Sequence, residues 1–290
     1  MALISQWHHQ FIETNKVRLH CVTQGEGNLV ILLHSYFEFW YSWRHQLSAL
    51  AKYCKVVVPD LRGCNDSEKP TSGYDLDTIS HDIDGLIKAL GYTQADVVGH
   101  AWGGTIAWQL ASTMPDSVRR LAILNGVHPH QFRKSLIDNL DQLRRSWRLL
   151  AVQIPNIPEW LIEQTLPELV QSFFQSHAVR KGAFPSEVTR LYLAALRKPG
   201  AIASALRYYR QLLAPPTWLS LLGPSNQPVN IPTLVLWGED DSFFNLRLLE
   251  STADLVKAPL RIERIPQCGH WIQQEAPLTV NRELIQFLCK

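Results

Sequence analysis

The segment Asp96-Val-Val-Gly-His-Ala-Trp-Gly-Gly-Thr105 restricts what this chain can become more than any other. Its apolar start reads as a buried strand. Glycines then flank a single residue, and a helical pattern follows. That is the outline of a strained strand-to-helix turn, which in enzymes lifts a Ser, Asp or Cys above a parallel sheet. Here the tip is Ala101. A methyl group neither attacks nor ionises, so the turn is expected without its usual reactive atom.

The flanking pattern agrees with a parallel sheet. Val17–Val22 alternates like an edge strand, and Leu29–Leu33 is a continuous apolar run. Lys55–Asp60, 95–100, Leu121–Asn125, Ile231–Trp237 and Leu260–Ile265 read as further strands. Helices are predicted over Phe39–Tyr53, Asp75–Leu90, 102–114, 246–256 and 278–288. Asp75 is placed as an N-cap and Gly91 as the stop. Alternating strands and helices imply an α/β fold with helices on both faces of the sheet. From 128 to 228 no strand-like run occurs. A core of 1–127 and 229–290 is therefore expected, with 128–228 as an inserted helical lid.

Composition sets the remaining bounds. At 290 residues and 46% hydrophobic, the chain suits one large domain with an insertion. A net charge of +2 makes no case for nucleic acid or an anionic membrane. No apolar run reaches the roughly 18 residues of a membrane span. Met1–Gln10 lacks the apolar core of a secretory signal, so a cytoplasmic monomer or homodimer is expected. The cysteines at 21, 54, 64, 268 and 289 have no metal-ligand spacing. Neither do His8, His9, His128 and His130, so no metal or cofactor is expected.

Four segments follow predicted strands, at the sheet end where open α/β folds build sites. They are Leu33–Arg44, Pro59–Pro70, the turn at Ala101, and Leu236–Asp241 with Gln267–Glu275. In order and spacing the chain resembles epoxide hydrolases of the α/β-hydrolase family and, more distantly, haloalkane and haloacetate dehalogenases. The resemblance implies a hydrolase acting on a small-molecule epoxide or ester. It makes His270 the catalytic histidine and Asp241 the acid that orients it. It makes the backbone N–H groups of Tyr36 and Trp102 an oxyanion hole, and Tyr209 a ring-polarising tyrosine.

The departures from that pattern cluster. Ala101 stands where Asp is usual. His34-Ser-Tyr-Phe37 replaces His-Gly-Phe-Pro, Arg62-Gly-Cys-Asn65 replaces Arg-Gly-Tyr-Gly, and Arg148 stands where a lid tyrosine is usual. Ser35, Phe37, Asn65 and Arg148 are therefore assigned to the substrate pocket. The clustering reads as an engineered or redesigned pocket. Three outcomes are open. Cys64 becomes a new nucleophile with His270 as base, and the site hydrolyses activated esters. Alternatively, His270 activates a water directly. In the third, the site binds substrate without turnover. His34, Asp60, Arg62 and Asp66 read as loop-stabilising, and Arg144 and Arg145 as a solvated face.

Overall fold

The computed structural model describes residues 7–154, 156–214 and 228–289, apart from the side chains of 148, 150 and 251. Its strands, β1 (His8–Thr14), β2 (Val17–Gln24), β3 (Leu29–Leu33), β4 (Lys55–Pro59), β5 (Ala95–His100), β6 (Val118–Leu124), β7 (Thr233–Gly238) and β8 (Leu260–Ile265), form one eight-stranded sheet in the order β1-β2-β4-β3-β5-β6-β7-β8. β1–β2 and β2–β4 pair antiparallel, and every other neighbour pairs parallel. This is the α/β architecture the alternation predicts.

Residues of β3 alternate between the sheet's two apolar layers. Val30 and Leu32 join one cluster, and Leu29, Ile31 and Leu33 the other. That two-residue period with both faces buried explains the unbroken apolar run. α1 (Arg44–Leu50), α2 (Leu76–Ala89) and α3 (Trp102–Thr113) flank the sheet. Asp75 caps α2 by accepting the Thr78 N–H at 2.9 Å, and Gly91 ends it at φ 84°.

Between β6 and β7 the described residues form α4 (Pro129–Asp138), α5 (Leu140–Arg145), α6 (Trp147–Ala151), α7 (Ile157–Gln164), α8 (Leu166–Gln171), α9 (Ser186–Leu196) and α10 (Ala201–Leu212), with short irregular turns. The expected lid includes 215–227, which lie outside the described residues.

Three sequence expectations need correction. β2 is not the edge strand, because β1 covers it. β1 was missed because exposed polar residues such as His8, His9 and Glu13 interrupt any apolar pattern. The helix expected over 39–53 is a 3₁₀ turn, Trp40–Trp43, leading into α1. The 246–256 helix is one short turn, Arg247–Glu250, followed by 3₁₀ structure.

β5 and α3 meet at close quarters. A Cβ on Gly103 would lie 2.2 Å from the Leu33 carbonyl oxygen, and one on Gly99 2.3 Å from that of Gly103. No side chain fits such an approach. Gly103→Ala is expected to destabilise the fold by about 3 kcal/mol or more, seen in thermal denaturation as a melting point lowered by several degrees.

Candidate active site

The turn between β5 and α3 holds Ala101 at φ 45°, ψ −106°, a backbone that side-chain-bearing residues rarely adopt. It is fixed by Ala101 N–H donating to the Leu124 carbonyl at 2.9 Å, and by Thr105 N–H donating to the Ala101 carbonyl at 2.9 Å. The strained geometry persists although nothing reactive occupies the tip.

Asp241 follows β7 and is buried, whereas its neighbour Asp240 is exposed. Both of its oxygens are fully engaged. Oδ1 accepts the N–H groups of Phe243 (2.7 Å) and Phe244 (3.0 Å), and Oδ2 accepts Asn125 Nδ2 (2.5 Å) and His270 Nδ1 (2.8 Å). Burial opposes ionisation, yet the facing His270 and these hydrogen bonds hold the carboxyl below its usual range. With Nδ1–H committed to Asp241, the basic nitrogen of a neutral His270 is Nε2. Phe243, Phe244, Trp271 and His100 surround the imidazole at centroid distances of 4.8–5.5 Å.

A cavity of about 380 Å³ brings Ala101 and His270 together. Ser35, Tyr36, Phe37, Trp102 and Tyr209 also line it, and most of the remaining wall is aliphatic or aromatic. Tyr209 packs edge-on against Tyr36 at 4.1 Å. The adjacent Tyr208 turns into the core, where its hydroxyl donates to the Arg62 carbonyl at 2.6 Å. Phe37 sits at φ 60°. A proline ring fixes φ near −65°, so this turn has a backbone that the His-Gly-Phe-Pro pattern cannot take.

The expected pocket residue Asn65 and the candidate nucleophile Cys64 are elsewhere. Neither Cys64 nor Asn65 lines the cavity. Asn65 is buried, and its amide donates to Asp60 Oδ2 at 2.7 Å, clasping its own loop. Burial, with the negative Asp60 nearby, pushes the Cys64 thiol up to about 12. His100 is also committed: Nδ1 meets the Glu38 carboxylate at 3.0 Å and Nε2 the His270 carbonyl at 2.9 Å. His34 bridges the Ser35 carbonyl and the Leu61 N–H. The side chain of Arg148 lies outside the described residues.

Sequence reasoning missed several supports. Arg145, read as solvated, lines the cavity and donates to the Asp241 carbonyl at 3.0 Å. Gln142 on the same helix donates to the Phe243 carbonyl and accepts the Asn245 N–H. Asn125 joins Asp241 to the Gly238 N–H, and nothing in its local sequence marks that role. His20, Asp60 and Asp66 place ligand-type atoms within 4.8 Å of one another. Asp66 is ion-paired to Lys198 and Asp60 holds Asn65, so this group works as a loop clasp.

A family model for the alpha/beta hydrolase fold matches residues 28–277. The chain belongs to the α/β-hydrolase family. It is 34% identical over 285 residues to human epoxide hydrolase 4, covering 96% of this chain and 77% of that protein. It is also 34% identical to the AB hydrolase superfamily protein YfhM of Bacillus subtilis, covering 96% and 97%. A crystal structure of a Bacillus megaterium epoxide hydrolase with an inhibitor superposes with a TM-score of 0.88 at 30% identity, covering 97% of this chain and all of that one. This is an epoxide-hydrolase-like α/β hydrolase, and its eight-stranded, mostly parallel sheet follows the architecture of that family. Among the described residues no helix is long and apolar enough to cross a membrane.

A thiol held near 12 is almost wholly protonated at neutral pH. Incubated with iodoacetamide at pH 7.5, Cys64 of the native protein is expected to alkylate at least ~100-fold more slowly than a free cysteine, as followed by peptide mass spectrometry. Labelling at the free-cysteine rate would restore it as a candidate nucleophile.

Proposed function

We propose that this α/β hydrolase binds a neutral, largely apolar small molecule in the cavity beneath the helical insertion, with the covalent step of an epoxide hydrolase removed. Residues 128–228 serve as the lid over a core of 1–127 and 229–290. One observation carries the reading. Ala101 occupies the strained tip where the resembling enzymes carry a carboxylate, while His270 and Asp241 remain hydrogen-bonded at 2.8 Å beside the same cavity.

In the covalent route, a carboxylate oxygen attacks an epoxide carbon, the C–O bond breaks, and a tyrosine protonates the departing oxygen. The histidine–acid pair then takes a proton from the water that cleaves the ester. Ala101 removes the first step. Such losses typically cost about 10⁴–10⁶ in rate. Tyr209, at the cavity wall, keeps its place as a donor to a bound ligand's oxygen.

The pair's persistence supports a second, slower chemistry. His270 Nε2 would accept a proton from water, and the hydroxide would attack an activated ester carbonyl and expel the alcohol. The raised thiol of Cys64 and its absence from the cavity wall argue against the thiol route. Whether they arose by design or by divergence, the substitutions at 35, 37 and 101 share one cavity, which supports change of the pocket as a unit.

With a terminal aryl epoxide, the native protein is expected to show no adduct by intact mass. Ala101→Asp is expected to gain the mass of one epoxide. With a chromogenic activated ester, slow turnover without a burst is expected, falling about 100-fold or more in His270→Ala, the usual range for general-base catalysis being roughly 10²–10⁴. Zero ester turnover would leave ligand binding alone as the function. An acyl adduct abolished by Cys64→Ala would overturn the reading in favour of a thiol enzyme.

A further inference from the structure

The first N–H groups of an α-helix have no acceptor within the helix. In the twelve-residue α3 the first of these belongs to Trp102, beside Ala101 at the cavity. Such an N–H, at the positive end of a helix dipole, ordinarily favours a negatively charged oxygen. Here it is already taken. Ser35 Oγ accepts the Trp102 N–H at 3.3 Å.

This contact is built rather than incidental. Ser35 is 6% exposed. Its N–H donates to Glu38 Oε2 at 2.9 Å, and its carbonyl accepts the Glu38 N–H at 3.2 Å and His34 Nδ1–H at 2.9 Å. Glu38 is itself buried against His100. The serine backbone is therefore fixed from both sides, and its hydroxyl stands close to where an oxyanion would sit, roughly 3 Å from the donor. A glycine at this position, as in the resembling pattern, would leave that space open.

We propose that the Ser35 hydroxyl is a built-in occupant of the anion position at the start of α3, so that the cavity accepts neutral ligands and discriminates against those ending in a carboxylate. Arg145, a cation on the cavity wall, does not compensate. Its charge is balanced by Asp141, which accepts Nε–H at 2.8 Å, and its Nη1 donates to the Asp241 carbonyl. The proposal rests on the reading of the cavity as a ligand site and narrows its ligand class. It makes Ser35 a second obstacle to acyl or alkyl-ester hydrolysis, independent of Ala101, because such a step develops negative charge on an oxygen needing that N–H.

The test compares 1-octanol with octanoate at pH 8 by calorimetry, using the native protein and Ser35→Ala. Ser35→Gly serves if the alanine variant does not fold. Octanol is the reference ligand in each protein, and octanoate affinity is read relative to it. Octanoate is expected to bind the variant about tenfold or more tightly than the native protein, because ionised acceptors gain most from an uncovered donor. Equal octanoate affinity in the two proteins overturns the proposal. A second measurement needs no variant: octanoate added to ¹⁵N-labelled native protein should leave the Trp102 amide resonance unmoved, and a saturable shift would show the N–H to be available. Octanol binding to neither protein would instead bring down the ligand-site reading itself, and this proposal with it.

Discussion

The site depends on how closely α3 approaches the end of β3. Gly103 lets the helix backbone settle against the Leu33 and His34 carbonyls, closer than any Cβ permits. That approach fixes where the helix begins and brings Trp102 beside the Ser35 turn. It also forces the residue before the helix into its strained conformation. Strain of this kind, of order 1–3 kcal/mol, persists only where surrounding contacts over-determine the backbone. The Leu124 carbonyl and the first helical hydrogen bond at Thr105 supply those contacts. The frame is maintained by packing and backbone hydrogen bonds, so it needs no reactive side chain at its tip.

Around that frame, polar groups are arranged in closed chains. Asn125, two backbone N–H groups and His270 saturate Asp241. Glu38 and His100 brace the Ser35 turn from one side and the His270 backbone from the other. Buried networks are favourable only when complete, since an unpaired member carries the full cost of desolvation. Among these, Asp241 and Glu38 are fully engaged without any side chain at position 101. This accounts for an ordered histidine–acid pair beside a turn whose tip carries only a methyl group.

Legibility of the sequence followed the range of the interactions. The buried strands β3, β5 and β7, the cap of α2 and the turn at Ala101 follow from local patterning and were visible at once. β1 was hidden because a sheet margin tolerates polar side chains. The 39–53 segment was read as one helix, yet Trp40–Trp43 closes as a tight turn before α1. Asn125 and Arg145 act across 116 and 96 residues of sequence, and no local pattern announces contacts of that kind. Cys64 and Asn65 were misplaced for the opposite reason. Position in a motif located their loop, while the direction of the side chains depended on Asp60 and on burial.

The attachment of α5 to the acid's loop has a mechanical consequence. Arg145 and Gln142 grip the backbone of Asp241, Phe243 and Asn245. A swing of that helix would drag on the carboxylate and uncouple it from the imidazole. Under the proposed reading, admission of a ligand would fall to smaller movements elsewhere in the insertion. There Trp147, Ile154 and Ile157 stand 54–61% exposed while still forming part of the cavity wall. The exposed part of the wall at Ile154 and Ile157 thus stands apart from the helix that holds the acid's loop.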